Sequence, residues 1–70
     1  MDARVAELLR RRIAVLQAAR RIFAVAESQG AAPTPADRAR YEALVAEADR
    51  LEAQARACEL EEARHAKRSP

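Results

Sequence analysis

Gly30-Ala31-Ala32-Pro33-Thr34-Pro35 is the one stretch that interrupts helix-forming sequence in this chain, and its reading decides the fold. Glycine is the residue that most readily takes the left-handed conformation at which helices end. Pro33 and Pro35 then forbid continuation, because proline has no N–H to give and clashes with the preceding turn. Pro35 is also a start signal. Thr34 before it suits an N-cap, proline suits the first helical position, and Asp37 stands where a capping-box acid belongs. Gly30, Pro33, Thr34 and Pro35 are therefore read as a structural hinge whose role is geometric.

Working outward, the pattern predicts a helix over about 2–29, a hinge over 30–34 and a helix over about 35–66, in a single module spanning 1–70. Asp2 suits a cap or a first-turn anion. Residues 67–70 are expected to fray. The predicted fold class is all-α: a two-helix hairpin, or an extended coiled coil whose helices splay at the hinge and pair with other chains. Each helix would be about 40–48 Å long at about 1.5 Å per residue.

Both helices repeat in sevens. In the first, Val5, Arg12, Ala19 and Ala26 form one row, Leu8, Val15 and Ile22 the next, and Leu9, Leu16 and Phe23 a third, with Ile13 at the edge. In the second, Tyr41, Ala48, Ala55 and Glu62 are flanked by Leu44, Leu51, Cys58 and His65 on one side and Val45 on the other. A stripe three rows wide is broad enough to bury. The candidate partner interface is Val5, Leu8, Leu9, Leu16, Ile22, Phe23, Tyr41, Leu44 and Leu51. Arg12 lies near the stripe's centre. Either its stem packs while its head reaches solvent, or it sets register by pairing with a carboxylate across the interface. Asp37–Arg40, Glu47–Arg50 and Glu52–Arg56 are spaced to support the exposed face. The second stripe thins after Leu51, so Glu59 to Arg68 is expected to be solvated and loose without a partner.

Size explains why a partner is expected. At 70 residues and 7.7 kDa the chain is below the length at which one core usually suffices. Cys58 is the sole cysteine, so no internal disulfide is possible, and that usage fits a reducing, intracellular setting. One cysteine and one histidine do not make a usual zinc site. Alanine dominates the apolar half of the composition, as in long helices and coiled coils. No apolar run reaches the roughly 18 residues of a membrane span, and no secretion signal is visible at the N-terminus. The +2 net charge divides into +3 over residues 1–33 and −1 over residues 34–70. That asymmetry favours antiparallel packing, within one chain or between chains.

Little here suits catalysis or cofactor binding, and none of either is expected. Glu62-Ala63-Arg64-His65 has the Glu-x-x-His spacing of di-metal bundles, but those carry it twice, with further inward glutamates. His65 reads more simply as a residue near the helix's negative end. Cys58 reads as a small buried hydrophobe. Arg10-Arg11-Arg12 and Arg20-Arg21 fan about 100° per residue around the axis, and no aromatics interleave with them, so nucleic acid is not expected as a partner. Ser28, Thr34, Tyr41 and Ser69 are hydroxyl groups with no histidine placed to activate them. The expected partners are protein helices, in a homo- or hetero-oligomer.

The segment Ala26-Glu27-Ser28-Gln29-Gly30, then Thr34, then Tyr41-Glu42-Ala43-Leu44-Val45-Ala46-Glu47-Ala48-Asp49-Arg50-Leu51-Glu52-Ala53, resembles the N-terminal scaffolding (delta) domain of tailed-phage major capsid proteins. The likeness runs from about Val5 to Arg64. It rests on an Ala-Glu-x-x-Gly turn, a threonine-led second helix, an aromatic with leucine three residues on, and Leu-Glu-Ala. It implies a helical element lining an immature shell and directing assembly through capsid-lineage helices. It also implies a cytoplasmic location in a bacterial host, inside an assembling procapsid, and in many such phages removal by a protease. No shell-forming domain follows Pro70, so the resemblance implies a fragment, a truncated remnant or a separately encoded scaffold. Ala48 and Ala55 stand where that family often has larger aliphatics. Two other readings are open: a small partner-binding hairpin such as a secretion-system co-chaperone, and an RNA-binding hairpin dimer, which the arginine fan disfavours.

Overall fold

Helix α1 runs over Ala3–Ser28 and helix α2 over Pro35–Arg68 in the structure, a computed structural model that describes residues 3–68. The turn between them is built as its residues require. Gly30 has a φ of 68°, the left-handed value. Its N–H donates to the Glu27 carbonyl at 3.0 Å, and the Ala31 N–H donates to the Ala26 carbonyl at 2.9 Å. That pair of bonds is a Schellman motif, satisfying carbonyls the helix end would leave orphaned. Gln29 belongs to this turn, so α1 ends one residue before the predicted 29.

The restart is a reciprocal capping box. The Thr34 Oγ1 accepts from the Asp37 N–H at 3.1 Å, and an Asp37 carboxylate oxygen accepts from the Thr34 N–H at 3.0 Å. The Thr34 carbonyl takes the first helical bond, from the Arg38 N–H at 3.0 Å. Replacing Thr34 with alanine removes one half of the box. Thr34→Ala is expected to cost about 1 kcal/mol, read as an earlier midpoint in chemical denaturation with an unchanged slope.

The helices fold back antiparallel into a hairpin, not a splayed coiled coil. Its Cα atoms span 61 × 17 × 10 Å, a slab one helix thick and two helices wide. Two contacts define the register: Arg12 faces Glu52, and Phe23 stacks on Tyr41 with ring centroids 4.5 Å apart. Carried to the start of α1, that register sets Ala3 opposite Glu61, and α2 continues beyond it. α2 is helical to Arg68, two residues past the predicted end, and Glu59 to Ala66 are exposed, as the thinning stripe implies. Asp2, Ser69 and Pro70 lie outside the described residues.

What the hairpin buries is small. Val5, Ala19, Ala26, Ala48 and Ala55 are the buried residues, between 0% and 7% exposed. Alanine at the crossing lets two helices approach closely, at the expense of apolar area. Every leucine, isoleucine and phenylalanine of the described residues keeps part of its surface in water.

Candidate helix-docking surface

The stripe predicted as one surface divides into two. Its central row, Val5, Arg12, Ala19 and Ala26, faces α2 and closes the hairpin. Val5 is completely buried there, so it supports the fold from within and presents nothing to a partner. The rows on either side of it emerge on opposite broad faces of the slab.

The first face carries Leu8, Val15 and Ile22 of α1 beside Leu44, Leu51 and Cys58 of α2, all half-buried. Two shallow grooves tie the helices together on this side. Arg4 and Leu8 meet Gln54, Cys58 and Glu61 toward the open end, and Ile22 and Val25 meet Asp37 and Arg40 toward the loop. Three apolar layers span the face: Leu8 with Cys58, Val15 with Leu51, and Ile22 with Leu44. No charged residue lies within these layers; the charges are at the edges. Val25 at the α1 edge is 54% exposed.

The second face carries Leu9, Leu16 and Phe23 beside Tyr41, Val45 and Glu52, also half-buried, and Ile13 at its edge is 53% exposed. It has a polar centre. Glu52 accepts from Arg56 at 2.9 Å and lies 3.9 Å from the Arg12 Nε. That last distance is within ion-pair reach but beyond a hydrogen bond. The Arg12 Nε is shielded from solvent and has no hydrogen-bond partner. Arg12 thus lies across the helix interface from a carboxylate, in a loose pairing, with its Nε shielded from solvent. Of the predicted pairs along one helix, Glu52–Arg56 forms; Asp37 instead gives a carboxylate oxygen to the capping box. Glu7 pairs with Arg10 at 3.3 Å and Arg11 at 3.4 Å, a contact the sequence reading missed although its spacing is visible there.

The interface residues predicted from sequence therefore fall into three places. Leu8, Ile22, Leu44 and Leu51 share the first face. Leu9, Leu16, Phe23 and Tyr41 belong with the second. Val5 is inside. Val15 and Cys58 complete the first face and were omitted from the predicted set, although both lie on its heptad rows. Cys58 is a free thiol and half-buried, more accessible than the buried hydrophobe expected. Leu60, 59% exposed, lies farther around α2. The Glu62 and His65 side chains, near the far end of α2, are exposed.

Surface area sets the scale of what is left uncovered. The chain exposes 5645 Å². A compact monomer of this mass exposes roughly 4,300 Å². Completing the burial of one half-covered leucine is worth about 1 kcal/mol. Large apolar faces rimmed by polar residues mark interaction sites. No helix among the described residues is long and apolar enough to cross a membrane. Among them, too, no group of three or more His, Cys, Asp or Glu is placed to hold a metal ion. Compared with protein-family models, curated proteins and solved structures, the chain matches none.

Proposed function

We propose that this hairpin is a non-enzymatic assembly element that works by helix–helix docking, in the manner the likeness to capsid delta domains implies. One observation carries the reading: among the described residues, closing the hairpin fully buries one valine and four alanines, leaving the large aliphatic side chains of two opposite faces only partly buried. A hairpin with one apolar face caps a single partner. A hairpin with two can touch a neighbour on each side, which is what an element lining a growing shell has to do. The seams would supply most of the affinity, and the flanking charges would set orientation and register. The partners on this reading are other helices of the same lineage, within a bacterial cytoplasm.

The test uses the chain fused ahead of the shell-forming domain of a tailed-phage capsid protein. The fusion is expected to form closed shells, seen by electron microscopy. The same fusion carrying Leu16→Asp, which places a carboxylate on a surface that must lose water, is expected to give aberrant shells or none. If shells close equally well with Leu16→Asp, or with the hairpin deleted, the assembly reading fails and a generic partner-binding hairpin becomes the better one.

A further inference from the structure

We infer that the shallow groove at the loop end of the first face, lined by Ile22 and Val25 and carrying Arg21 and Arg40 on its two helices, docks an acidic amphipathic helix of a partner protein. The docked helix sets its apolar stripe on Ile22 and Val25 and a carboxylate against each arginine. The inference rests on reading the hairpin as a helix-docking element and adds the chemistry of the helix it takes.

Charge distinguishes this groove. Ala18, Arg21, Ile22 and Val25 line it from α1, and Asp37 and Arg40 from α2. Arg21 and Arg40 are exposed, and neither forms an ion pair or hydrogen bond among the described residues. The sequence explains why. The residues one turn from Arg21 on its own helix are Gln17, Ala18, Ala24 and Val25, none of them acidic. Arg40 has Asp37 one turn away, but that carboxylate is half-buried and accepts the Thr34 N–H at 3.0 Å in the capping box. Elsewhere the guanidinium groups have acids to hand: Glu7 holds Arg10 and Arg11, and Glu52 holds Arg56. In the groove toward the open end, Arg4 shares the lining with Glu61. The loop-end groove thus sets two unpaired guanidinium groups against one engaged carboxylate. A partner bringing carboxylates there is attracted, and a basic one is repelled.

The apolar part of the groove is the second observation. Val25 is 54% exposed and Ile22 beside it is half-buried. Two antiparallel helices leave a straight furrow between them. A third helix can lie in such a furrow, covering it with residues spaced i, i+3, i+4 and i+7. The planar fork of each guanidinium suits a carboxylate from that helix. An exposed pair of this kind is worth at most about five-fold in affinity. The arginines therefore select the partner, and the apolar contact holds it.

The probe is a synthetic alanine-based helix with leucine at i, i+3, i+4 and i+7 and glutamate on both flanks, compared with versions flanked by glutamine and by lysine. Titrated into the whole isotope-labelled chain, the glutamate peptide should shift amide signals within residues 18–25 and 37–44. Affinity should fall from glutamate to glutamine to lysine. Arg21→Gln with Arg40→Gln should keep the parent's helicity and weaken the glutamate peptide by roughly ten-fold, while leaving the glutamine peptide unchanged. Arg10→Gln with Arg11→Gln should alter neither. Equal binding of the lysine peptide, shifts centred elsewhere, or an Arg21/Arg40 variant that binds like the parent each overturns the inference. So does a duplex RNA that displaces the peptide and binds more tightly through the same two arginines. Shell assembly is read separately, through Leu16 on the other face. A chain whose fusion needs Leu16 but which ignores the glutamate peptide overturns this inference alone. A chain that binds the peptide as expected, and whose fusion closes shells despite Leu16→Asp, overturns the assembly reading alone.

Discussion

Ala48→Leu is expected to open this hairpin. Ala48 is 1% exposed at the helix crossing, with Ala19 equally covered on the other helix. Leucine there needs space that the seam lacks, and overpacking of this kind costs about 1–3 kcal/mol. In so small a chain that is a large part of the total stability. Leucine is nearly as good a helix former as alanine, so local propensity changes little and the loss isolates packing. The thermal midpoint should fall by roughly 4–8 °C for each kcal/mol, measured at one fixed concentration because association shifts it too. The variant should also sediment as a more extended species. A splayed coiled coil would respond oppositely, gaining from a thicker stripe. A higher midpoint for Ala48→Leu would therefore mean that the alanines do not form the close seam.

The second large effect runs in the opposite direction. Arg12→Leu should stabilise the hairpin by about 1–2 kcal/mol, because a buried N–H with no partner costs energy of that order. The pairing with Glu52, at 3.9 Å, returns little of it. Leucine would remove the orphaned donor and extend the buried row between Val5 and Ala19. Glu52 would keep its bond from Arg56. The expected cost is specificity, since a single charged residue in an apolar row discourages slipped registers. A midpoint raised by roughly 5–10 °C should thus come with a broader distribution of oligomers in sedimentation velocity. A lowered midpoint would show that the Arg12–Glu52 pairing is worth more than the orphaned donor costs.

Local chemistry made much of this molecule legible without coordinates. Gly30 has to end a helix because it alone here takes positive φ without strain. Thr34, Pro35 and Asp37 have to start one because together they satisfy the donors a helix start exposes. The heptad rows follow from a helical period that residue type alone reveals. Signals of this kind act within a few residues, and the structure reproduces them: a Schellman turn, a capping box, and two helices with bounds shifted by one or two residues. The candidate surface was legible as a set of residues but not as a shape. Leu8 and Leu9 are adjacent in sequence and both belong to the stripe, yet they lie on opposite faces of the hairpin.

That division was decided by tertiary structure, for a physical reason. A single neighbouring helix covers only the middle of a stripe three rows wide. Sequence supplies the stripe's width, but its residues are the same whether the centre is spent inside the chain or offered outside it. Once α2 lies against Val5, Ala19 and Ala26, the flanking rows are pushed apart into two surfaces. Which α2 residues join each is fixed by the antiparallel direction: Leu44, Leu51 and Cys58 beside Leu8, Val45 and Glu52 beside Leu9. The helices, their ends and their apolar rows were thus determined by sequence alone. The burial of Val5, the pairing of Arg12 with Glu52 and the existence of two faces came only from the way the chain folds back on itself.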